Sequence, residues 1–101
     1  MHAVIITFKT SAPPESLGEM MRDFADALLA VEGFVSKVWL HDGSTLGGSY
    51  LFDSEQAANA YLRSELVAGL QANESFHDFD VRTFAVIGDL TAITAQTLVA
   101  S

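Results

Sequence analysis

The sequence predicts an α+β domain in the ferredoxin-like arrangement, βαββαβ, with an antiparallel four-stranded sheet covered on one face by two helices and followed by a C-terminal tail. Three observations lead there. Short apolar and aromatic segments of strand character recur four times, two intervening segments repeat apolar residues at helical spacing, and glycine, proline and aspartate fall between them. At 101 residues, with no linker, repeat or low-complexity tract, residues 1–101 read as a single domain.

The first strand spans Ala3 to Lys9, with Val4, Ile6 and Phe8 on one face and Ala3, Ile5, Thr7 and Lys9 on the other. Pro13 and Pro14 then suit the entrance to a helix, and Ser16 with Glu19 offers a capping box. Leu17, Met20, Met21, Phe24, Leu28 and Val31 recur at helical spacing, while Glu19, Arg22, Asp23 and Asp26 fall mainly on the other side, so an amphipathic helix ends near Gly33. Phe34 to His41 is a second strand. Its alternation places Val35, Lys37, Trp39 and His41 on one face and Phe34, Ser36, Val38 and Leu40 on the other. Asp42-Gly43-Ser44 signals a turn into a third strand, from about Leu46 to Phe52.

Asp53 stands where the period changes and is expected to cap the second helix, with Gln56 completing a capping box. That helix is expected from about Ser54 to Leu70, on the four-residue spacing of Ala58, Leu62, Leu66 and Leu70. After a polar stretch, Gln71 to Asp78, a last strand is read at Val81 to Ile87. In the tail, Leu90, Ile93 and Leu98 could line a short helix that needs a surface to lie on. Tyr61, Phe76, Phe79 and Phe84, with Met20 and Met21, are read as core.

Composition narrows the function. Half of the residues are hydrophobic and 18% are charged, and the mean hydropathy is +0.28, so an apolar patch remains for an interface and a homodimer is expected. A net charge of −8 with five Lys and Arg repels phosphate backbones and anionic headgroups, which argues against nucleic acid and membrane partners. The absence of cysteine removes thiolate and disulfide chemistry. MHAVIITFK lacks the basic leader and the apolar length of a signal peptide, so a cytoplasmic location is expected. Neither GxGxxG nor a P-loop is present, and Gly47-Gly48 reads as a place of bending or close backbone approach. Glu74 and His77 have E-x-x-H spacing, but a single such pair in an expected loop falls short of a carboxylate-bridged metal site, so no metal is assigned.

Three stretches, EGFVSKVW at Glu32 to Trp39, GGSYLFDSEQAANAYL at Gly47 to Leu62 and TFAVIGDLTAITAQTL at Thr83 to Leu98, together resemble the YdhR-like monooxygenases. These are small members of the dimeric α/β-barrel superfamily that includes the antibiotic-biosynthesis monooxygenases. The resemblance implies a barrel made by two sheets packed back to back, each subunit keeping its own pocket between sheet and helices, and an oxygenase activity. The Gln71 to Asp80 connection departs from the pattern, so no role is carried over to His77.

A cofactor-independent oxygenase must turn its substrate into an electron-rich anion, because ground-state oxygen reacts slowly with closed-shell molecules. The protein then supplies an apolar pocket, a base and exclusion of water, with no cofactor. Trp39 and Tyr50 are expected to hold a flat hydrophobic ligand, His41 to accept its proton, and Lys37 or Arg82 to stabilise the anion. The competing readings are a non-catalytic small-molecule-binding or stress-related module, and isomerase or lyase chemistry on the same scaffold. For the residues themselves the alternatives are packing or interface for Trp39 and an exposed surface for His41, Lys37 and Arg82.

Overall fold

The computed structural model describes residues 1–95 of the chain. Four strands, β1 (His2–Thr10), β2 (Phe34–Asp42), β3 (Thr45–Phe52) and β4 (Phe76–Ala85), form an antiparallel sheet in the order β2-β3-β1-β4. A turn of 3₁₀ helix (Pro14–Ser16) leads into α1 (Gly18–Leu28), and α2 (Glu55–Leu62) and α3 (Glu65–Ala72) join β3 to β4. This is the expected ferredoxin-like sheet, with the second helix divided in two. A short α4 (Gly88–Thr94) follows, with Leu90 and Ile93 exposed; Leu98 lies outside the described residues. No helix among the described residues is long and apolar enough to cross a membrane.

The alternation in β1 sorts the sheet into two faces. Val4, Ile6 and Phe8 are buried under the helices and stand opposite Tyr50, Gly48 and Leu46 of β3. Directly paired residues share a face, so Lys37, Trp39 and His41, opposite the same Tyr50, Gly48 and Leu46, also point to the helix side. Phe52, Tyr61, Leu28, Val4 and Ile6 are fully enclosed there. The other face has no cover among the described residues. It carries Ile5, Val38, Leu40, Leu51 and Phe84, of which Val38 is 45% and Phe84 49% exposed. Phe84 therefore belongs to the open face rather than the core, whereas Tyr61 and Phe76 are buried as expected and Phe79 stacks on Phe8 at 5.0 Å.

Several boundaries differ from the expectation for identifiable reasons. A bulge between Phe34 and Ser36 turns Phe34 to the helix side, where its ring meets Phe52 edge-on at 6.1 Å. Strand β4 begins at Phe76, within the stretch expected to be a polar connection. There an extra residue between His77 and Asp80, with Asp78 at φ 55°, breaks the alternation. The long helix stops at Leu62 because Ser64 is extended and its hydroxyl donates back to the Tyr61 carbonyl.

Both expected capping boxes are replaced. Ser16 donates its hydroxyl to the Pro13 carbonyl at 2.7 Å beside the 3₁₀ turn, and Leu17, at the N-cap position of α1, provides no side-chain cap. The cap of α2 is Ser54, not Asp53: Ser54 is extended and its hydroxyl accepts from the Ala57 amide at 3.1 Å. Asp53 still belongs to the approach, its amide donating to the Gly33 carbonyl at 2.9 Å. Ser54→Ala is accordingly expected to lower unfolding free energy by about 1 kcal/mol in urea denaturation, with Asp53→Asn changing it by less than half as much. The reverse ranking would return the cap to Asp53.

Candidate functional site

Between α1 and the strands β1, β2 and β3 lies a cleft of about 550 Å³. The helix wall is Met20, Met21, Phe24 and Ala25, and the sheet wall is Phe8, Trp39, Leu46 and Tyr50, with Leu70 and Phe76 closing it from α3 and the start of β4. The apolar stripe of α1 thus ends over a cleft as well as over the core. Only Leu28 of the helix is fully buried. Met20 and Met21, expected in the core, are half-buried wall residues.

Lys37 lies inside this cleft. Its Nζ sits 3.3 Å from the centroid of Trp39, 4.5 Å from that of Tyr50 and 4.9 Å from that of Phe24, so three aromatic faces surround one amine. Trp39 and Phe24 meet edge-on at 6.3 Å. The position depends on a missing side chain: a Cβ on Gly48, which is paired with Trp39 on β3, would overlap Lys37 Cε. The close backbone approach expected at Gly47-Gly48 is found at Gly47, where a Cβ would overlap the Ile6 carbonyl oxygen, while at Gly48 the approaching group is the Lys37 side chain.

Burial pushes the Lys37 ammonium down to about 7. Among the described residues Lys37 has no ion-pair partner, the one pair being Arg82 with Asp80 at 3.1 Å. The rings work in the opposite direction, attracting the charged form through their π faces. Behind the cleft floor, Tyr50 and Tyr61 lie with centroids 5.2 Å apart, and among the described residues the buried Tyr61 hydroxyl has no hydrogen-bond partner. Burial raises both phenols above the usual tyrosine range, with Tyr50 adding to the rise at Tyr61, so both remain neutral.

Of the residues singled out from the sequence, Lys37, Trp39, His41 and Tyr50 are brought together on the cleft lining. His41 is exposed, near the hairpin turn at Gly43. Arg82 is not with them. It stands opposite Ile5 on the open face, tied to Asp80. His77 stands opposite Lys9 on that face as well. Sequence reasoning missed Phe24 and Arg22 as cleft residues; the only signal for Phe24 was its helical spacing, which a core residue shares.

A concave, mostly apolar cleft with a few polar groups has the form that small-molecule pockets take. The chain belongs to the family described as "Putative mono-oxygenase ydhR", whose model matches residues 4–97. No curated protein matches it. Among solved structures it is similar to SnoaB, a cofactor-independent oxygenase from Streptomyces nogalater, at 14% identity and TM-score 0.69, covering 96% of this chain and 95% of that one. A "putative antibiotic biosynthesis monooxygenase" from Deinococcus radiodurans is similar at 13% identity and TM-score 0.63, over 99% and 100% of the two chains. A mutant of MhuD with two manganese protoporphyrin IX molecules per active site is similar at 22% identity and TM-score 0.58, over 86% and 95%.

Trp39 is the sole tryptophan, so its emission reports on the amine resting against it. The emission is expected to titrate near pH 7 in the wild type and in His41→Gln, and to lose that step in Lys37→Met and in Gly48→Ala, which displaces Lys37. Retention of the step in Lys37→Met would assign it to another group. Stability follows the same proton. Between about 7 and the usual lysine value of about 10.4, the unfolded chain holds a proton that folded Lys37 does not, so stability rises with pH across that window. The Lys37 contribution is complete above the unfolded value and lost as pH falls through about 7. Urea denaturation from about pH 7 to about pH 9, below the tyrosine range, should show this rise in the wild type and its absence in Lys37→Met.

Proposed function

We propose that this chain is a cofactor-independent monooxygenase acting on a hydrophobic, aromatic or phenolic small molecule, and that it works as a homodimer. The observation that carries the reading is the cleft itself, with aromatic rings on both walls, an amine inside and volume enough for a ring system of two or three fused cycles. The fold shared with SnoaB, named a cofactor-independent oxygenase, supports the activity, and the fold shared with porphyrin-bound MhuD supports a planar ligand.

On this reading Trp39 and Tyr50 hold the ring, and a base in the cleft removes a proton to give the phenolate or its carbanion. His41 at the mouth and Lys37 within are the groups able to accept it. The anion passes one electron to oxygen, and the two radicals combine to form a C–O bond. The resulting peroxide takes up a proton and loses water, leaving a carbonyl. A CH₂ group thus becomes C=O, one oxygen atom entering the product and the other leaving as water with the two hydrogens. Apolar walls favour this sequence by keeping bulk water from the reactive anion.

Oxygen uptake with a panel of anthrones and hydroquinones tests the activity. Protein-dependent uptake that survives metal chelation is expected, with Trp39→Phe weakening substrate binding more than turnover. Tight binding of the whole panel without product would replace catalysis by a binding role.

The open sheet face supports the dimer, because Val38, Leu40 and Phe84 lie exposed on a surface that a second copy would cover. Sedimentation equilibrium at micromolar concentration should then give about twice the 10.9 kDa chain mass. A persistent monomer would contradict the barrel.

A further inference from the structure

In a chain with 13 acidic and five basic side chains, the cleft lining contains no carboxylate among the described residues. Its ionisable residues are Arg22, Lys37, His41 and Tyr50, so two of the five Lys and Arg side chains meet here. The acidic residues of α1 nearest to it in sequence, Glu19, Asp23 and Asp26, are exposed and do not line it. Such segregation against a net charge of −8 costs favourable ion pairs that a purely structural lysine would use.

We infer that Lys37 is the proton acceptor of the cleft and the counter-charge of its ligand, an aromatic phenol or enol that enters neutral and is held as the anion against the Lys37 ammonium. This rests on the reading of the cleft as the substrate site. The step is a proton transfer: the O–H bond of the ligand breaks, an N–H bond forms on Nζ, and a neutral acid and a neutral amine become an ion pair with no net charge brought into the cleft. That matters in an apolar site, where an uncompensated charge is costly and a paired one much less so. The Trp39, Tyr50 and Phe24 faces that surround Nζ attract the ammonium once formed.

The groups facing Lys37 agree with this role. Tyr50 from β3 is held neutral by burial and brings no competing negative charge. Tyr61 from α2 lies behind it in the same state. Arg22 from α1 adds positive potential at the rim, and no titratable residue reaches the lining from β1, α3 or β4. His41, at the exposed mouth of the same strand, is placed to exchange protons with solvent rather than to meet a buried hydroxyl. An amine whose value burial has moved to about 7 is free to accept at neutral pH.

Binding of 4-cyanophenol, whose neutral and ionised forms absorb differently, tests the assignment against its methyl ether, 4-methoxybenzonitrile, slightly above the Lys37 value of about 7. The wild type is expected to bind the phenol in its ionised form, about tenfold or more tightly than the ether, without releasing a proton to the buffer. Lys37→Met should bind both compounds as neutral molecules with the preference gone. Lys37→Arg, a permanent cation unable to accept a proton, should bind the phenolate and release one proton per probe. A bound phenol that stays un-ionised in the wild type, or ionisation that persists in Lys37→Met, would overturn the assignment. Binding of neither compound would overturn it together with the cleft as ligand site. Oxygen uptake with an anthrone separates the two levels. Lys37-dependent ionisation without uptake keeps the acceptor and removes the oxygenase; uptake unchanged in Lys37→Met keeps the oxygenase and removes the acceptor.

Discussion

The Lys37 side chain reaches over Gly48, the residue paired with Trp39 on β3, into space that a Cβ there would fill. Everything on the helix side of the sheet near the hairpin is arranged around that fact. Without a Cβ at Gly48 the lysine stem occupies the space next to Tyr50, and Nζ comes to rest on Trp39, two residues along its own strand. Phe24 of α1 approaches from above. Each ring attracts the ammonium by about 0.5–1 kcal/mol at exposed sites and by more when dry. Burial opposes the charge more strongly, and the amine is left poised near neutrality. A side chain in that state can exchange a proton with a ligand at little cost in either direction, which a solvated lysine cannot do.

The two faces of the sheet divide the tasks of the molecule. On the helix side, Val4, Ile6, Phe52 and Tyr61 make a closed core that fixes the floor of the cleft, while the helix wall is built from Met20, Met21 and Phe24, adaptable side chains that leave room for a ligand. On the other side, apolar residues stand in the open and the charged pair Arg82–Asp80 stays exposed. The acidic residues of α1 lie outward, and among the described residues the cleft lining carries Arg22 and Lys37 but no carboxylate, so an anion there would meet no like charge.

The sheet was legible because β1 alternates without interruption and pairs with β3 without a register shift, and Lys37, Trp39 and His41 could be placed on one face by period alone. Legibility failed where one residue broke the period. The bulge at Val35 reversed the side assigned to Phe34, and Asp78, at positive φ, hid the first half of β4 among polar residues. Asp53 and Ser54 are adjacent and both suited to capping; the choice of Ser54 depends on the bond from Asp53 to Gly33, which closes a contact across the chain and leaves no local trace. Arg82 was grouped with the site by charge, but its register with Ile5 puts it through the sheet on the far face. Phe24 went unnoticed because helical spacing marks the inward side of α1 without telling a core wall from a cleft wall, and Arg22 because it lies on the polar side of the helix and meets the cleft only at its rim.

The chain has only two lysines, Lys9 and Lys37, and Lys9 is exposed on the open face, which makes the central claim directly measurable. With ¹³C-labelled lysine, the two Cε resonances can be followed as a function of pH, Lys9 serving as the reference within the same sample. The Lys37 signal is expected to be shifted upfield by the three rings and to titrate with a midpoint near 7. A Lys37 resonance without a ring shift, titrating near the ordinary lysine value of about 10.4, would mean that the side chain lies in solvent and that the cleft has no poised amine.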